Sequence, residues 1–446
     1  MEKYHSVIIG GGPAGISCAS ELGKHGIEKI LLLERREDVG GMLRQCIHDG
    51  FGVQGFGRSM TGPEMLVEIG KGLTLDSIIV ETSAYVISVD YSSRPYRVQY
   101  IDSNNRLVFC SSDTVVVATG CRERPFSSLR IPGSRPAGIF SAGSAQYMMN
   151  VKNLLPGKSA VILGLGDIAM IMARRLTIEG VKVKMVLGLE RTGLVRNYNN
   201  CIRDLKIPCR EGYSVISVHG RKRLKGVTIA PIGKDGQVNM GYKEYIPCDT
   251  LLNAAGLIPE DDLIPEGKKE GVFLCGNVDR IYSLADHVCE AGQYTALEIL
   301  KFLGKDDGRL ELEMSQLEKI MKRDEEHFKE SRDYDSLICG SCPKGCELSV
   351  RLIKGEYVVS GNRCEEGALY GKGRFKEPEG IFTGTVKVKD DSFALLPVRS
   401  NVPVKLSQFR QIAKDISDCS VSIDVENGHM IRENIQVTNI LRREEL

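Results

Sequence analysis

Four cysteines near the end of the chain carry its most specific spacing. Cys339, Cys342, Cys346 and Cys364 read C-x2-C-x3-C, then 17 residues, then C. Three thiols so close together can wrap one inorganic centre, with Gly340, Pro343 and Gly345 supplying the turns. Four thiolates suit a [4Fe–4S] cluster or tetrahedral zinc, although zinc more often uses two paired C-x2-C units. A further thiol, Cys46, stands two residues before His48 in Gln45-Cys46-Ile47-His48-Asp49-Gly50-Phe51-Gly52. A thiol beside an imidazole makes both candidate catalytic groups. The same stretch also reads as a structured loop with a buried thiol and a satisfied histidine.

Two glycine-rich turns could cradle phosphates. Gly10-Gly11-Gly12-Pro13-Ala14-Gly15 fits G-x-G-x-x-G, directly after the apolar run Ser6 to Ile9. A helix follows from Ile16 to Lys24, then a second apolar strand, Lys29 to Leu33, closed by Glu34. This is a dinucleotide-binding βαβ unit. Gly10 permits the tight turn, Gly12 lets backbone approach a pyrophosphate, and Gly15 lets helix and strand pack closely. The helix N-terminus, at Pro13 and Ala14, favours anions. Glu34 falls about 20 residues on, where a carboxylate can accept from ribose hydroxyls; Arg35 adjoins it. Gly41 and Gln45, the strand end Ala118-Thr119-Gly120, and Gly276-Asn277 would let the chain pass close to the same cofactor.

The second unit is Ser159 to Leu163, Gly164-Leu165-Gly166-Asp167-Ile168-Ala169, a helix through Leu176, and the strand Val181 to Leu187. It fits the accepted variant G-x-G-x-x-A. Gly164, Gly166, Asp167 and Ile168 are its candidate contacts to a nicotinamide cofactor. The ribose acid is out of register: Glu190 is near the expected position but not on it. Lys184, Arg191 and Arg196 are close by, so NADH and NADPH both stay open.

Composition narrows the class. The 446 residues suggest about two to four domains. The net charge of +1 favours neither nucleic acid nor a membrane surface. No run of about 18 apolar residues predicts a transmembrane helix. The first strand starts almost at Met1, which leaves no room for a signal peptide. Fourteen cysteines without a signal are metal ligands or buried hydrophobes rather than a disulfide framework, so the expected location is cytoplasmic.

Gly10 to Gly15 with Glu34, Ala118-Thr119-Gly120, Gly164 to Ala169 and Cys275-Gly276-Asn277 occur in the order of the two-dinucleotide flavoproteins, which include glutathione and thioredoxin reductases. The resemblance covers roughly residues 5 to 305. It implies FAD at the first fingerprint and NAD(P)H at the second. Many members have Gly-Asp where this chain has Gly276-Asn277; an amide can still hydrogen-bond the ribitol. The redox dithiol of the disulfide reductases is missing, since Cys46 has no partner thiol at either family position. Gln45 to Gly52 resembles instead the subgroup associated with anaerobic glycerol-3-phosphate dehydrogenase and with related 2-hydroxyacid or amine dehydrogenases, whose flavoproteins exchange electrons with a partner dehydrogenase.

The segment from Cys339 to Gly367 is similar to the N-terminal module of molybdopterin oxidoreductases, which implies [4Fe–4S] rather than zinc. It also resembles a small domain of unassigned function found beside anaerobic glycerol-3-phosphate dehydrogenases. The expected fold is α/β: a doubly wound FAD-binding domain (1–130 and 249–305) with an inserted NAD(P)-binding domain (131–248). A charged helical linker (306–336) and a small C-terminal α+β iron–sulfur domain (337–446) follow. The expected activity is FAD-dependent NAD(P)H oxidoreduction within a multi-subunit dehydrogenase, in an oligomer. The alternatives are a stand-alone NAD(P)H oxidoreductase for a small acceptor, or a zinc-stabilised scaffold with a vestigial flavin fold.

Overall fold

The computed structural model describes residues 1–305, 308–330, 337–339, 345–353, 355–376, 378–389 and 391–438. A first sheet comprises β1 (Glu2–Ile9), β2 (Ile30–Leu33), β3 (Ile78–Glu81), β4 (Tyr85–Asp90), β5 (Tyr96–Ile101) and β6 (Leu107–Val117), in spatial order β3-β2-β1-β6-β5-β4. The strand Val272–Leu274 lies parallel to the end of β6, with Val272 opposite Val115. β1 pairs in parallel with β2 and β6, so Ser6 faces Ile30 on one side and Thr114 on the other. All four residues of β2 are buried, as a parallel strand covered on both faces requires. β6 is one strand of 11 residues. Its first half pairs antiparallel with β5 and its second half parallel with Val272–Leu274.

Helix α1 (Pro13–Lys24) covers one face of this sheet. Its Ile16, Ala19 and Leu22 pack with Leu297 and Leu300 of a later helix, and each such aliphatic side chain contributes about 1.5–3 kcal/mol on burial. Helix α2 (Gly62–Gly70) starts with a capping box: Glu64 accepts from the Thr61 amide at 2.7 Å, and the Thr61 hydroxyl accepts from the Glu64 amide at 3.4 Å.

The second sheet contains β7 (Ile139–Ser141), β8 (Ser159–Leu163), β9 (Lys182–Gly188), β10 (Cys209–Glu211) and β11 (Thr250–Asn253), all parallel in the order β7-β11-β8-β9-β10. Helices α3 (Ala142–Asn150) and α4 (Asp167–Ile178) cover one face through Ala145, Met149, Met172 and Leu176. Val215, Val227 and Ile229 of an antiparallel three-stranded sheet cover the other.

After the first sheet is completed, α5 (Ala285–Phe302) returns over α1, and α6 (Leu310–Glu330) follows. The charged segment expected to be a surface helix or linker docks on the first core through Leu310, Met314 and Leu317. Tyr294 donates to Glu318 at 2.9 Å across the same contact. The remaining described chain holds the hairpin β12 (Glu347–Ile353) and β13 (Glu356–Ser360), then α7 (Glu365–Lys376). A five-stranded sheet built on β14 (Thr383–Val388) and β15 (Asp391–Ser400) is backed by α8 (Phe409–Ser417). The short strand Ser420–Val421 runs parallel to the end of β14. The Phe382 and Phe409 rings meet edge-on at 5.5 Å in this core, and Ile178 of α4 joins it. Among the described residues no helix is long and apolar enough to cross a membrane.

Candidate functional site

The C-terminal ends of β1, β2, β6 and Val272–Leu274 converge on one cleft of about 1290 Å³, above the roughly 300–1,000 Å³ of drug-sized sites. Beside it is the turn from β1 into α1, which Gly41, the neighbour of the lining residue Met42, passes over. Gly10 has φ +117, and a side chain there would run into the Ala118 carbonyl. Small residues at Ala118 and Gly120 match that close approach. A side chain at Gly15 would strike the Gly10 carbonyl, so Gly15 is required by the βαβ unit itself. Gly12 is different: its φ of −78 is ordinary, and a Cβ there would meet no protein atom within 4 Å. Nothing in the protein demands glycine at that position. Gly12 is also the N-cap of α1, with no side chain capping the helix, so the first-turn amides are presented to the open space.

Glu34 is buried at the end of β2. It accepts from the Gly11 amide at 2.8 Å and from the Arg36 amide at 2.8 Å, one bond on each oxygen. Those bonds fix the carboxylate beside the turn. Arg35 and Gln45 line the cleft, as do Ile168 of α4 and Asn277. A Cβ on Gly41 would come within 3.2 Å of the Gly12 Cα, so Gly41 passes over the turn. Thr119 donates to the Glu260 carbonyl at 2.7 Å. A Cβ on Gly276 would approach that of Ala14 to 2.6 Å. Asn277 accepts from the Tyr282 amide at 3.1 Å and points its amide nitrogen at Cys121 Sγ, 3.7 Å away.

Gln45 does more than line the cleft. Its amide nitrogen donates to the Gly143 carbonyl at 3.1 Å and to Gln146 at 3.0 Å, and its carbonyl accepts from Asn150 at 2.8 Å. It therefore fastens the first unit to α3. Two further fasteners carry no sequence signal. Glu123 accepts the Gly143 amide with both oxygens, at 2.8 and 2.9 Å. Buried Asp286, in the first turn of α5, accepts from the amides of Gly52, Gln54 and Gly55 at 3.0–3.2 Å. The α5 N-terminus thus holds the loop after His48.

Cys46 and His48 are adjacent to the cleft but not activated. Burial pushes the Cys46 thiol up to about 12, against a lowering contact from Gln146 at 3.8 Å. At neutral pH it is a thiol, not a nucleophilic thiolate. Burial pulls His48 down to about 4, so the ring is neutral. No disulfide joins any of the described cysteines.

At the second fingerprint, Gly164 has φ +128, and a side chain there would run into the Ala254 carbonyl. Gly166 caps α4 without a side-chain hydrogen bond. Burial raises the Asp167 carboxyl, while bonds from Asn197 at 2.7 Å and the Leu194 amide at 2.8 Å oppose the rise. Glu190 is exposed just beyond β9. Arg191 pairs with Glu211 at 2.7 Å and lies over the Tyr198 ring at 5.0 Å. The Arg196 guanidinium lies against Gly50 while still lowering Asp167 through its charge.

Of the four spaced cysteines, Cys339 and Cys346 are buried side by side, with the Cys339 amide donating to the Cys346 carbonyl at 2.8 Å. Cys339 Sγ lies 3.7 Å from where Gly367, in the first turn of α7, would carry a Cβ. Cys364 is exposed and immediately precedes α7. Cys342 lies outside the described residues. Among the described residues no three His, Cys, Asp or Glu side chains are grouped to hold a metal ion.

A family model described as pyridine nucleotide-disulphide oxidoreductase matches residues 4–288. The chain belongs to that family. A second model, a protein of unknown function (DUF1667), matches residues 365–441. Hydrogen cyanide synthase subunit HcnB of Pseudomonas protegens is 28% identical over 280 residues, covering 58% of this chain and 58% of that protein. An opine oxidase subunit of Rhizobium meliloti is 24% identical over 342 residues, covering 68% of this chain and 64% of that protein. The chain therefore spans less than two thirds of either relative. Lactococcus lactis thioredoxin reductase shares the fold, with a TM-score of 0.55 and 18% identity over 68% of this chain and 100% of that one.

In this pyridine nucleotide-disulphide oxidoreductase the C-terminal segment is bolted to both fingerprint units. Arg374 of α7 bonds Asp204, Asn200 and Tyr370. Arg399 of β15 pairs with Glu64 of α2 at 2.9 Å, and Arg174 of α4 donates to the Ile381 carbonyl at 2.9 Å.

Proposed function

We propose that this oxidoreductase is the electron-transfer component of a multi-subunit dehydrogenase, moving electrons between NAD(P)H, FAD and a [4Fe–4S] cluster. The dehydrogenase would oxidise glycerol 3-phosphate, a 2-hydroxyacid or an amine. The observation that carries this reading is Cys46: a protonated thiol with its Sγ against Gln146, joined to no second sulfur. A disulfide reductase needs a thiolate and a resolving partner; among the described residues of this chain Cys46 is bonded to no sulfur, and burial raises Cys121, the other thiol of the cleft, as well. Its two similar relatives are named as subunits, which supports a partner protein.

FAD would lie in the cleft over Gly12, the glycine that only a ligand requires. The first-turn amides of α1 and the Gly10 to Gly15 turn would hold its pyrophosphate, Glu34 a ribose, and Asn277 the ribitol. NAD(P)H would lie at Gly164, Gly166, Asp167 and Ile168, with Glu190 toward its ribose. When bound, the flavin accepts a hydride on one side and releases single electrons on the other. Ile168, on the second fingerprint helix and in the wall of the first cleft, would set the two cofactors against each other. Cys339, Cys342, Cys346 and Cys364 would hold the cluster. Its fit is supported by the buried Cys339–Cys346 pair and by the approach of Cys339 to the turn that Cys364 opens. On this reading residues 1–130 with 249–305, 131–248 and 337–446 are the flavin, nicotinamide and cluster domains.

Replacing Cys46 with serine tests the thiol-free path. NAD(P)H-driven reduction of an artificial one-electron acceptor should stay within about threefold of the parent. Complete loss of that activity with flavin still bound would restore a thiol mechanism.

A further inference from the structure

A cavity of about 50 Å³, partly open to solvent, lies where the loop after Cys46, α4, the helical segment 195–203 and β14 meet. Its charged walls are His48, Asp49, Arg174, Arg175 and Arg196. Arg175 is already ion-paired: it lies 2.7 Å from Glu179, and its Nε donates to Asn150 at 2.9 Å. Arg174 gives one N–H to the Ile381 carbonyl and lies over the Phe409 ring at 5.1 Å. Among the described residues Arg174 reaches no carboxylate within 4.0 Å, and Arg196 makes neither an ion pair nor a hydrogen bond. Two guanidiniums therefore line the cavity with Asp49 without contacting its carboxylate; Arg196 also acts on Asp167, and Arg174 on Asp204, which Arg374 holds.

The field inside is positive. Burial alone would raise the Asp49 carboxyl, yet Arg174 and Arg196 outweigh it and hold that group low. Burial lowers His48; Asp49 opposes the fall, and the same two arginines add to it. Arg174 and Arg196 are half-buried, and the Arg196 donors meet no acceptor among the described residues. Gly50, at φ +110, clears the place the Arg196 guanidinium takes; a side chain there would collide with it.

We propose that this cavity binds the carboxylate of a small organic acid. The Arg196 donors have no partner among the described residues, and a guanidinium fork matches a planar carboxylate. At about 10–15 Å³ per water centre the cavity holds about three or four waters, which suits three carboxylate atoms better than a tetrahedral phosphate. Ile47 and Asn150 line both this cavity and the first cleft, so the rest of the acid would point toward that cleft. The site goes beyond the electron-transfer reading, and its occupancy can be measured whether or not that reading holds.

Calorimetric titration of the purified flavin-loaded full chain at low ionic strength tests it, with acetate, inorganic phosphate and acetamide as probes. Acetate should bind at one site per chain, more tightly than phosphate, and neutral acetamide should not bind. Arg196→Gln, with flavin content as the check on folding, should weaken acetate by about tenfold or more, and Arg196→Lys should recover part of it. The site is overturned if the parent gives no acetate binding, if acetamide binds equally, or if Arg196→Gln leaves acetate affinity unchanged. Tighter binding of phosphate than of acetate would overturn the carboxylate assignment. The comparison of acetate with acetamide on the parent needs no variant.

Discussion

Replacing Gly12 with valine is expected to give a folded chain that purifies without flavin. The backbone at Gly12 is ordinary, and a Cβ there meets no protein atom within 4 Å. The protein therefore tolerates the change. What the isopropyl group displaces is whatever rests on the turn, where the α1 amides leave the helix uncapped. Losing two or three charge-assisted bonds to a phosphate costs about 3–6 kcal/mol, enough to empty the site during purification. Gly15→Val should behave oppositely, because its side chain strikes the Gly10 carbonyl and breaks the βαβ unit. Flavin absorbance per chain, read beside a thermal melt, separates the two. Full flavin content in Gly12→Val would place the cofactor elsewhere.

The second large effect concerns the C-terminal thiols. Anaerobically purified protein should contain about four irons and four acid-labile sulfides per chain. Cys339→Ser should lose most of both. Cys339 is the ligand to remove, since it is buried, bonds Cys346 through the backbone and lies against the first turn of α7. Helix-turn amides near cluster sulfurs help set the potential, and that turn is placed to supply them. The Arg374 bonds to Asp204 and Asn200 should keep α7 docked in the variant, so flavin content should be unchanged. One zinc per chain without labile sulfide would overturn the cluster and the exit path built on it.

The two fingerprint units were legible because everything they need is local: strand, glycine turn, helix and second strand lie within some thirty residues, and period and glycine spacing report them directly. Of β6 the sequence showed only the end at Ala118-Thr119-Gly120, because its two halves pair with different, distant neighbours. α6 was legible as a charged helix with spaced Leu310, Met314 and Leu317, but the core they dock on lies far away in the sequence. The family motifs named the glycines but not the bolts between units. Asp286 reaches the 52–55 loop across more than 230 residues, and no spacing rule encodes such a pair. The same holds for Arg174 and Arg196: the sequence placed Arg196 near the nicotinamide fingerprint, and only packing turns it toward Gly50 and Asp49. The cysteine spacing was plain, whereas the approach of Cys339 to α7 depends on a hairpin folding back.

Anaerobic addition of NADH, and separately of NADPH, with flavin absorbance and low-temperature electron paramagnetic resonance followed together, tests the proposed path most directly. The account predicts that one nucleotide bleaches the flavin and that a reduced iron–sulfur signal then rises in the same sample. Bleaching without that signal, at full iron content, would contradict electron exit through the cysteine domain, and no bleaching by either nucleotide would contradict the path at its first step.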